Sequence, residues 1–564
     1  MKYLKNKTLQ NIIYFLIIFT VFVMRCPKDL FTPYLWGEDG TILITDSAME
    51  GIFAIDNVTN GTLWVIQKTV GVISYYIAVL FRSFSSLPMI QGVITKFLEA
   101  LGISYFLSDK FSFLVKERFV RFLFCIMTIL TFPTNSIDVI TCDTSLPFIL
   151  IIPVFLIGVY LFCGGKDEET GYYVKLPTVF QTVFLCLMAI SSASAPLIGG
   201  MCALCGLLWL FERIKAKKLT MKEFAPAAVK MACVGLSVLI QLITVMSSDR
   251  APTELALKDR IYLTVRNYVF WPKWMISSSK WLFAERLRVC DVPYNSHLPA
   301  LCVFLFFAGI AFYAFLFISK KVDRRVMAFS VLSSYLFFLL CSFTGEIKEF
   351  LVGLAVGQRF VYLPVYISMM LILLFSYNLS KEEEKLKVPV KKIFSAGVVL
   401  LFLVLYIPDY IMTPANDYLY EYWEMSCDDF SFEGDDIISC RIGPWGNWRT
   451  DFPADFTNAS DDVSLTPVYA SGSTDGVSQI VSLDADINDG REIEKIYVKN
   501  SEEGKYSLAF YEGEKSEKMG EFGNEGIFTY QDYYGREYEL IAVDYDGGYH
   551  RAVFAYEEEG LQKR

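Results

Sequence analysis

The strongest constraint in this sequence is the succession of long apolar stretches that fills its first 410 residues. Hydrophobic residues make up 54% of the chain, and the mean hydropathy is +0.39. A soluble protein of this length could not bury that much apolar surface, whereas roughly 20 apolar residues suffice for a helix to cross a bilayer. We therefore predict a multi-pass α-helical membrane protein rather than a string of soluble domains.

The charge divides this chain into two unlike parts. The net charge of −10 is the balance of +11 over residues 1–415 and −21 over residues 416–564. Together with the apolar pattern, this split predicts a basic polytopic membrane body at 1–410. A linker region at 411–469 and a small acidic domain at 470–564 would follow it.

Basic clusters between the apolar stretches set the predicted topology, because Lys and Arg collect in short cytoplasmic loops. Lys2, Lys5 and Lys7 precede the first stretch and place the N-terminus in the cytoplasm. No small-residue cleavage site follows that stretch, so we expect it to be retained as a span. Eleven spans follow from the alternation, near 9–24, 87–107, 119–132, 146–163, 176–192, 196–211, 226–246, 298–319, 326–343, 360–377 and 393–410. The C-terminal domain then lies outside the plasma membrane.

Two stretches compete for the second crossing. The stretch at 64–81 is interrupted by Gln67 and Lys68, whereas the stretch at 87–107 holds Lys96 and Glu99 one helical turn apart, where they can pair. We predict the later stretch as the span and the earlier one as an interfacial helix on the outer surface.

In the tail, the long apolar stretches give way to short runs in which apolar and polar residues alternate, separated by residues typical of turns. Runs of this kind at 479–483, 495–499, 506–511, 526–530, 538–543 and 551–556 predict a small β-sandwich-like domain. Cys427 and Cys440 could form a disulfide on the oxidising outer side. Asn57, Asn60 and Asn458 begin N-x-S/T sequences on the same predicted side. Whether these asparagines are glycosylated is left open.

The first outer loop carries the residues best suited to chemistry, the adjacent carboxylates Glu38 and Asp39 in the run Trp36-Gly37-Glu38-Asp39-Gly40. A carboxylate beside the bilayer can take a proton from a hydroxyl as general base, or the pair can help to hold a divalent cation. The alternative is an ordinary solvated turn. The chain has only two histidines and no phosphate-binding glycine motif, so a nucleotide-driven pump and a nucleic-acid partner are not indicated.

The loop at 247–297 departs from the topology rule, because it holds eight basic residues on the predicted outer side. Long loops can translocate regardless of charge. Alternatively, Lys280, Arg286 and Arg288 form an outward basic surface that binds an anionic ligand.

By its architecture, the membrane body at roughly 1–410 resembles the GT-C superfamily of integral-membrane glycosyltransferases. The resemblance is carried by the cytoplasmic N-terminus, the single span and the Trp36–Gly40 run, then by residues 45–51 and the pair Arg359-Phe360 at a late span. Two segments depart from the family pattern, Thr59-Asn60-Gly61-Thr62 and the outer loop at 135–145. These differences leave the subfamily and substrate open.

The resemblance implies transfer of a sugar from a polyprenyl-phosphate donor to a cell-envelope glycan or lipid acceptor on the outer face. Asp39 or Glu38 would be the general base, and Arg359 the main phosphate contact. Weaker donor contacts would come from Trp36 and the basic loop residues. The alternative from another class is a transporter or flippase of lipid-linked saccharides, with the acidic pair as a gate. A surface-binding protein that merely uses the body as an anchor would not require eleven spans.

Overall fold

A computed structural model of the chain describes most of its helical part and the strands of its tail. The described residues are 7–25, 35–130 except 36, 60 and 82–85, 146–248 except 168–170 and 193, 258, 311–341, 362–380, and the strands between 430 and 563. The chain divides into two compact units. The first contains 1–27, 56–67 and 94–414, and the second contains 28–55, 68–93 and 415–564.

Apolar helices build the first unit. The α-helices whose bounds the structure describes are α1 (Lys7–Arg25), α2 (Thr45–Glu50), α3 (Val65–Phe81), α4 (Leu87–Ser104), α5 (Arg118–Leu130), α6 (Leu146–Cys163), α7 (Val179–Ser191), α8 (Ala195–Lys215), α9 (Met221–Ser247), α10 (Arg324–Cys341) and α11 (Tyr362–Ser380). All but α2 contribute to the first unit, and α3 and α4 run on into the second. Helix α6 has no polar face and is buried on nearly all sides, as expected for a helix that is apolar all round.

Five described helices are long and apolar enough to cross a membrane: Lys7–Met24, Leu87–Leu107, Leu146–Cys163, Ala195–Lys215 and Met221–Ser247. The prediction of a mostly helical chain with segments long and apolar enough to span a membrane is therefore confirmed. Val65–Phe81, predicted to be an interfacial helix, is a shorter apolar helix. The stretch at 87–107, predicted to cross the membrane, is among the five. The predicted span at 393–410 lies outside the described residues, and the total of eleven stays a prediction.

Polar contacts fix the start of α3 within the first unit. The Ile66 amide donates to the Ser191 hydroxyl at 3.0 Å, and the Gln67 side chain donates to the Ser191 carbonyl at 3.2 Å. The Leu63 amide donates to the Gln241 side chain at 3.1 Å. The Leu63 and Ile66 bonds satisfy backbone amides just before and within the first turn of α3, and the Gln67 bond satisfies the last carbonyl of α7, groups that the helices themselves cannot satisfy.

Two antiparallel sheets lie in the C-terminal part of the second unit. After the short pairs β1/β2 (Val58–Thr59, Thr62–Leu63) and β3/β4 (Lys166–Asp167, Gly171–Tyr172), the strands are β5 (Phe430–Glu433), β6 (Ile437–Ile442), β7 (Trp448–Pro453), β8 (Val463–Gly472), β9 (Ser478–Ile487), β10 (Ile493–Asn500), β11 (Lys505–Tyr511), β12 (Ile527–Gln531), β13 (Glu537–Asp544), β14 (Tyr549–Glu557) and β15 (Gly560–Lys563). One sheet has the order β15-β14-β13-β10-β11-β5-β6-β7 and the other β12-β9-β8. The six strand segments predicted from the sequence overlap β9 to β14. Strands β5 to β7 fall in the predicted linker at 411–469.

Candidate functional site

The acidic pair lies at the start of a short π-helix in the second unit. The π-helix spans Asp39–Ile44 and continues directly into α2. Asp39 is only 3% exposed, and Glu38 is half-buried. π-Helical turns are rare and frequently occur at functional sites. The burial of Asp39 argues against the alternative of a solvated turn.

Two threonine hydroxyls stabilise this π-helix by donating hydrogen bonds to backbone carbonyls within it and just before it. Thr41 Oγ1 donates to the Gly37 carbonyl at 3.0 Å, and Thr45 Oγ1 donates to the Gly40 carbonyl at 3.0 Å. The Thr45 amide also donates to Gly40, which closes the wide π-type turn. Gly37 itself has a positive φ of 30°, a conformation that a side chain would strain.

Helix α3 packs against this segment at a point where only glycine fits. A Cβ added at Gly71 would lie 2.9 Å from the Leu43 carbonyl oxygen and 3.1 Å from Ser47 Oγ. The position of Gly51, which ends α2, also favours glycine, because its φ is 61°. A Cβ added there would lie 2.6 Å from the Tyr76 hydroxyl of α3. Two glycines therefore set the close approach between α3 and the segment that carries Asp39.

An ion pair fixes the same interface one helical turn before Gly71. Lys68 Nζ lies 2.9 Å from Asp46 Oδ2, and the side chains are 0% and 26% exposed. A charge buried to this degree is retained only when it is compensated by a partner. Lys68 thus ties α3 to α2, seven residues beyond Asp39.

Strand β7 holds the π-helix from the far end of the chain. Thr450, which is fully buried, donates its hydroxyl to the Gly40 carbonyl at 3.1 Å, and the Asp451 amide donates to Thr45 Oγ1 at 2.9 Å. The residues joined are 410 and 406 positions apart. The Gly40 carbonyl therefore accepts bonds from its own segment and from the C-terminal part of the chain.

We expect Thr450→Val to loosen the π-helix, because valine keeps the shape of threonine but cannot donate to Gly40. The loss of one buried hydrogen bond costs about 1 kcal/mol. Hydrogen exchange of the 37–50 peptide should accelerate by about fivefold. Thr182→Val is the matched control, since the Thr182 hydroxyl also donates to a backbone carbonyl at 2.9 Å but lies in the first unit. Equal exchange of 37–50 in both variants would contradict the bracing role.

The other residues predicted for the site lie outside the described residues. They are Trp36, Lys280, Arg286, Arg288 and Arg359. Cys427 also lies outside, and of Cys440 only the backbone on β6 is described, so the disulfide stays a prediction. Asn57 is half-buried before β1, whereas Asn60 and Asn458 are outside the described residues.

A divalent cation at the acidic pair stays a prediction, because Mg²⁺ can be held by one or two carboxylates together with substrate phosphates. In the described part of the chain, no group of three His, Cys, Asp or Glu residues could hold a metal ion. Glu38 and Asp39 supply two carboxylates, whereas calcium takes six or more oxygen ligands. No chemical step is therefore derived through a metal.

A second pair of ionisable residues lies inside the first unit. Lys96 and Glu99, both fully buried, lie one turn apart on α4 within the candidate span Leu87–Leu107. Ionisable residues within membrane spans are costly and mark ion or substrate paths by default.

Sequence reasoning missed three residues that position Asp39. Lys68 gave a usable signal, because a lysine inside an apolar helix requires a partner. Gly71 and Thr450 gave none: a glycine in an apolar stretch and a threonine in a polar segment are common.

The comparisons with known proteins give no further guide to the site. The chain matches no protein-family model, no curated protein and no solved structure.

Proposed function

We propose that this protein is an integral-membrane glycosyltransferase of the GT-C type. It would transfer a hexosyl or pentosyl group from a polyprenyl-phosphate donor to a cell-envelope glycan or lipid acceptor on the outer face. The observation that carries the proposal is the buried carboxylate of Asp39 beside Glu38, on a π-helix held by α3 and β7.

The rigid support of Asp39 is what a general base requires. A base must be held within hydrogen-bond reach of the proton it abstracts. Asp39 precedes Gly40, whose carbonyl is bonded from two parts of the chain. A solvated turn would need neither this bracing nor the buried ion pair behind it.

The proposed reaction balances on this carboxylate. Asp39, or Glu38 beside it, takes the proton of the acceptor hydroxyl as the hydroxyl oxygen forms a bond to the anomeric carbon. The bond between that carbon and the phosphate oxygen breaks, and its electron pair leaves with the polyprenyl phosphate. The attack comes from the face opposite the leaving group, so the anomeric configuration inverts.

Basic side chains would bind the phosphate of the donor, because guanidinium groups pair with phosphate oxygens in a bidentate manner. Arg359 is the first candidate, with Lys280, Arg286 and Arg288 as further contacts and Trp36 against the substrate. The proposal includes eleven spans, a cytoplasmic N-terminus and an extracytoplasmic β-sandwich-like domain in the plasma membrane. The five apolar helices support the membrane part of it.

The second candidate is a transporter or flippase of lipid-linked saccharides. The fully buried Lys96 and Glu99 in a candidate span favour it, because such groups can form part of a substrate or proton path. In that case the acidic pair at Glu38 and Asp39 would act as a gate.

Reconstituted protein distinguishes the two functions. Proteoliposomes receive a radiolabelled polyprenyl-phosphate sugar and an envelope glycan extract. We expect label to appear in the acceptor fraction with release of one polyprenyl phosphate per sugar transferred. Movement of intact lipid-linked sugar across the bilayer, without its consumption, would overturn the transferase proposal in favour of the transporter.

A further inference from the structure

Two lysines of the first unit lie close to one aromatic ring, and the described part of the chain supplies neither with a carboxylate partner. Lys175 Nζ lies 4.5 Å and Lys110 Nζ 5.4 Å from the centre of the Tyr160 ring. Within the described part of the chain, no carboxylate oxygen lies within 4.0 Å of either ammonium group. Burial lowers the pKa of Lys110, and the charge of Lys175 lowers it further. An anion between the two groups would relieve this repulsion.

A largely apolar cavity of about 640 Å³ begins beside this pair. Leu150, Pro153 and Ile157 of α6 line it at a spacing of three and four residues, so Tyr160 is the next residue on the same face. Helices α1, α4 and α7 supply the other walls. Asp109 at the rim of the cavity precedes Lys110, and Tyr160 follows Ile157 by one helical turn, so the two lysines lie beside this end of the cavity.

Polar atoms form a band at this end of the cavity. Ser104 and Asn11 line it, and both Ser104 Oγ and Asn11 Oδ1 are buried without a hydrogen-bond partner. Tyr105 also lines it, and its hydroxyl accepts a bond from the Gln181 side chain at 2.7 Å, which leaves the hydroxyl proton available. A buried polar atom without a partner costs about 1–3 kcal/mol, so a ligand that bonds to it is favoured.

Among the described residues, Asp109 is the carboxylate at the cavity rim, and it is already compensated. Asp109 lies 2.5 Å from Arg118, 3.4 Å from Arg121 and 3.6 Å from Lys7. The guanidinium of Arg118 holds the pKa of Asp109 below its usual value, so this carboxylate stays ionised within a cluster of net positive charge. It does not oppose an anionic headgroup.

We propose that this cavity binds one anionic glycerophospholipid of the surrounding membrane. An acyl chain occupies the apolar part, an ester oxygen accepts a hydrogen bond from the Ser104 hydroxyl, a headgroup hydroxyl donates to Asn11 Oδ1, and the phosphate lies between Lys110 and Lys175. The chemistry is that of basic pockets between membrane helices, which bind anionic lipid headgroups. The site is separate from the acidic pair and does not depend on glycosyl transfer.

The test is lipid binding by the full-length chain in nanodiscs of phosphatidylcholine with increasing phosphatidylglycerol, read by native mass spectrometry. We expect the wild type to retain one phosphatidylglycerol. The double variant Lys110→Gln/Lys175→Gln should bind it about thirtyfold more weakly, at about fivefold per lysine near an anionic headgroup. The matched control is Lys215→Gln/Lys218→Gln, which removes two exposed lysines and should change binding by less than about twofold.

Photolabelling and competition on the wild-type protein test the site without the double variant, in case that variant folds poorly. Phosphatidylglycerol with a photoreactive acyl chain should label wild-type peptides from α4 and α6, at 98–109 and 150–160. Soluble glycerol phosphate should not displace the lipid at millimolar concentration, because it lacks the chain that fills the cavity. Equal binding by both double variants, an absence of label in these peptides, or displacement by glycerol phosphate alone would each overturn the proposal.

Discussion

Asp39→Asn is expected to lower the rate of sugar transfer by about 10²- to 10⁴-fold, the contribution that a positioned general base makes. Asparagine keeps the size of aspartate and can accept hydrogen bonds, but it cannot take the proton of an acceptor hydroxyl at neutral pH. Because Asp39 is 3% exposed, water has little access to replace the lost carboxylate. The measurement is the initial rate of transfer in proteoliposomes at saturating donor, with kcat and KM determined separately.

The comparison of Asp39→Asn with Glu38→Gln assigns the base. If Asp39 takes the proton, its variant loses kcat, whereas Glu38→Gln, at the half-buried neighbour, mainly raises KM. The reverse pattern would make Glu38 the base. Asp56→Asn, an exposed carboxylate at the end of the same segment, serves as the control and should keep full activity. Full activity in both acidic-pair variants would refute the carboxylate mechanism.

The helical part of this chain could be predicted because its signal is local. Stretches such as Leu146–Cys163 hold apolar residues without interruption, and the hydrophobic effect leaves them only a buried or a membrane environment. The predicted crossing at 87–107 coincides with the candidate span Leu87–Leu107, although Lys96 and Glu99 interrupt it. The two residues lie one turn apart on the helix and are fully buried.

The support of the acidic pair could not be predicted, because it depends on contacts between distant segments. The hydrogen bonds of a π-helix span one residue more than those of an α-helix, and no local pattern at Asp39–Ile44 distinguishes the two. Thr450 reaches Gly40 across 410 residues, a distance over which periodicity carries no information. The sequence motif thus singled out Glu38 and Asp39 as candidate site residues, and only the tertiary structure explains what holds them.

The ion pair between Lys68 and Asp46 yields the second large effect, now on the stability of the acidic segment. Asp46→Ala removes the carboxylate that lies 2.9 Å from the fully buried ammonium of Lys68. Removing one partner of a buried pair costs about 3 kcal/mol. Since Asp46 lies on the helix that continues from the π-helix, protection of 37–50 against hydrogen exchange should fall by about 100-fold, and transfer activity should fall with it.

A double-mutant cycle separates the loss of the pair from the loss of packing. Replacing both charges by apolar residues of similar size, in Asp46→Leu/Lys68→Met, removes the buried ammonium together with its carboxylate partner and should restore most of the protection. The control is Glu223→Ala at the exposed pair with Arg213, whose atoms lie 4.0 Å apart, and its effect should stay below about 0.5 kcal/mol. If the double variant is as unprotected as Asp46→Ala, the instability comes from lost packing at α2. If it recovers protection but not activity, the ion pair itself is needed for activity. In that case the pair positions Asp39 more accurately than apolar packing between α2 and α3 can.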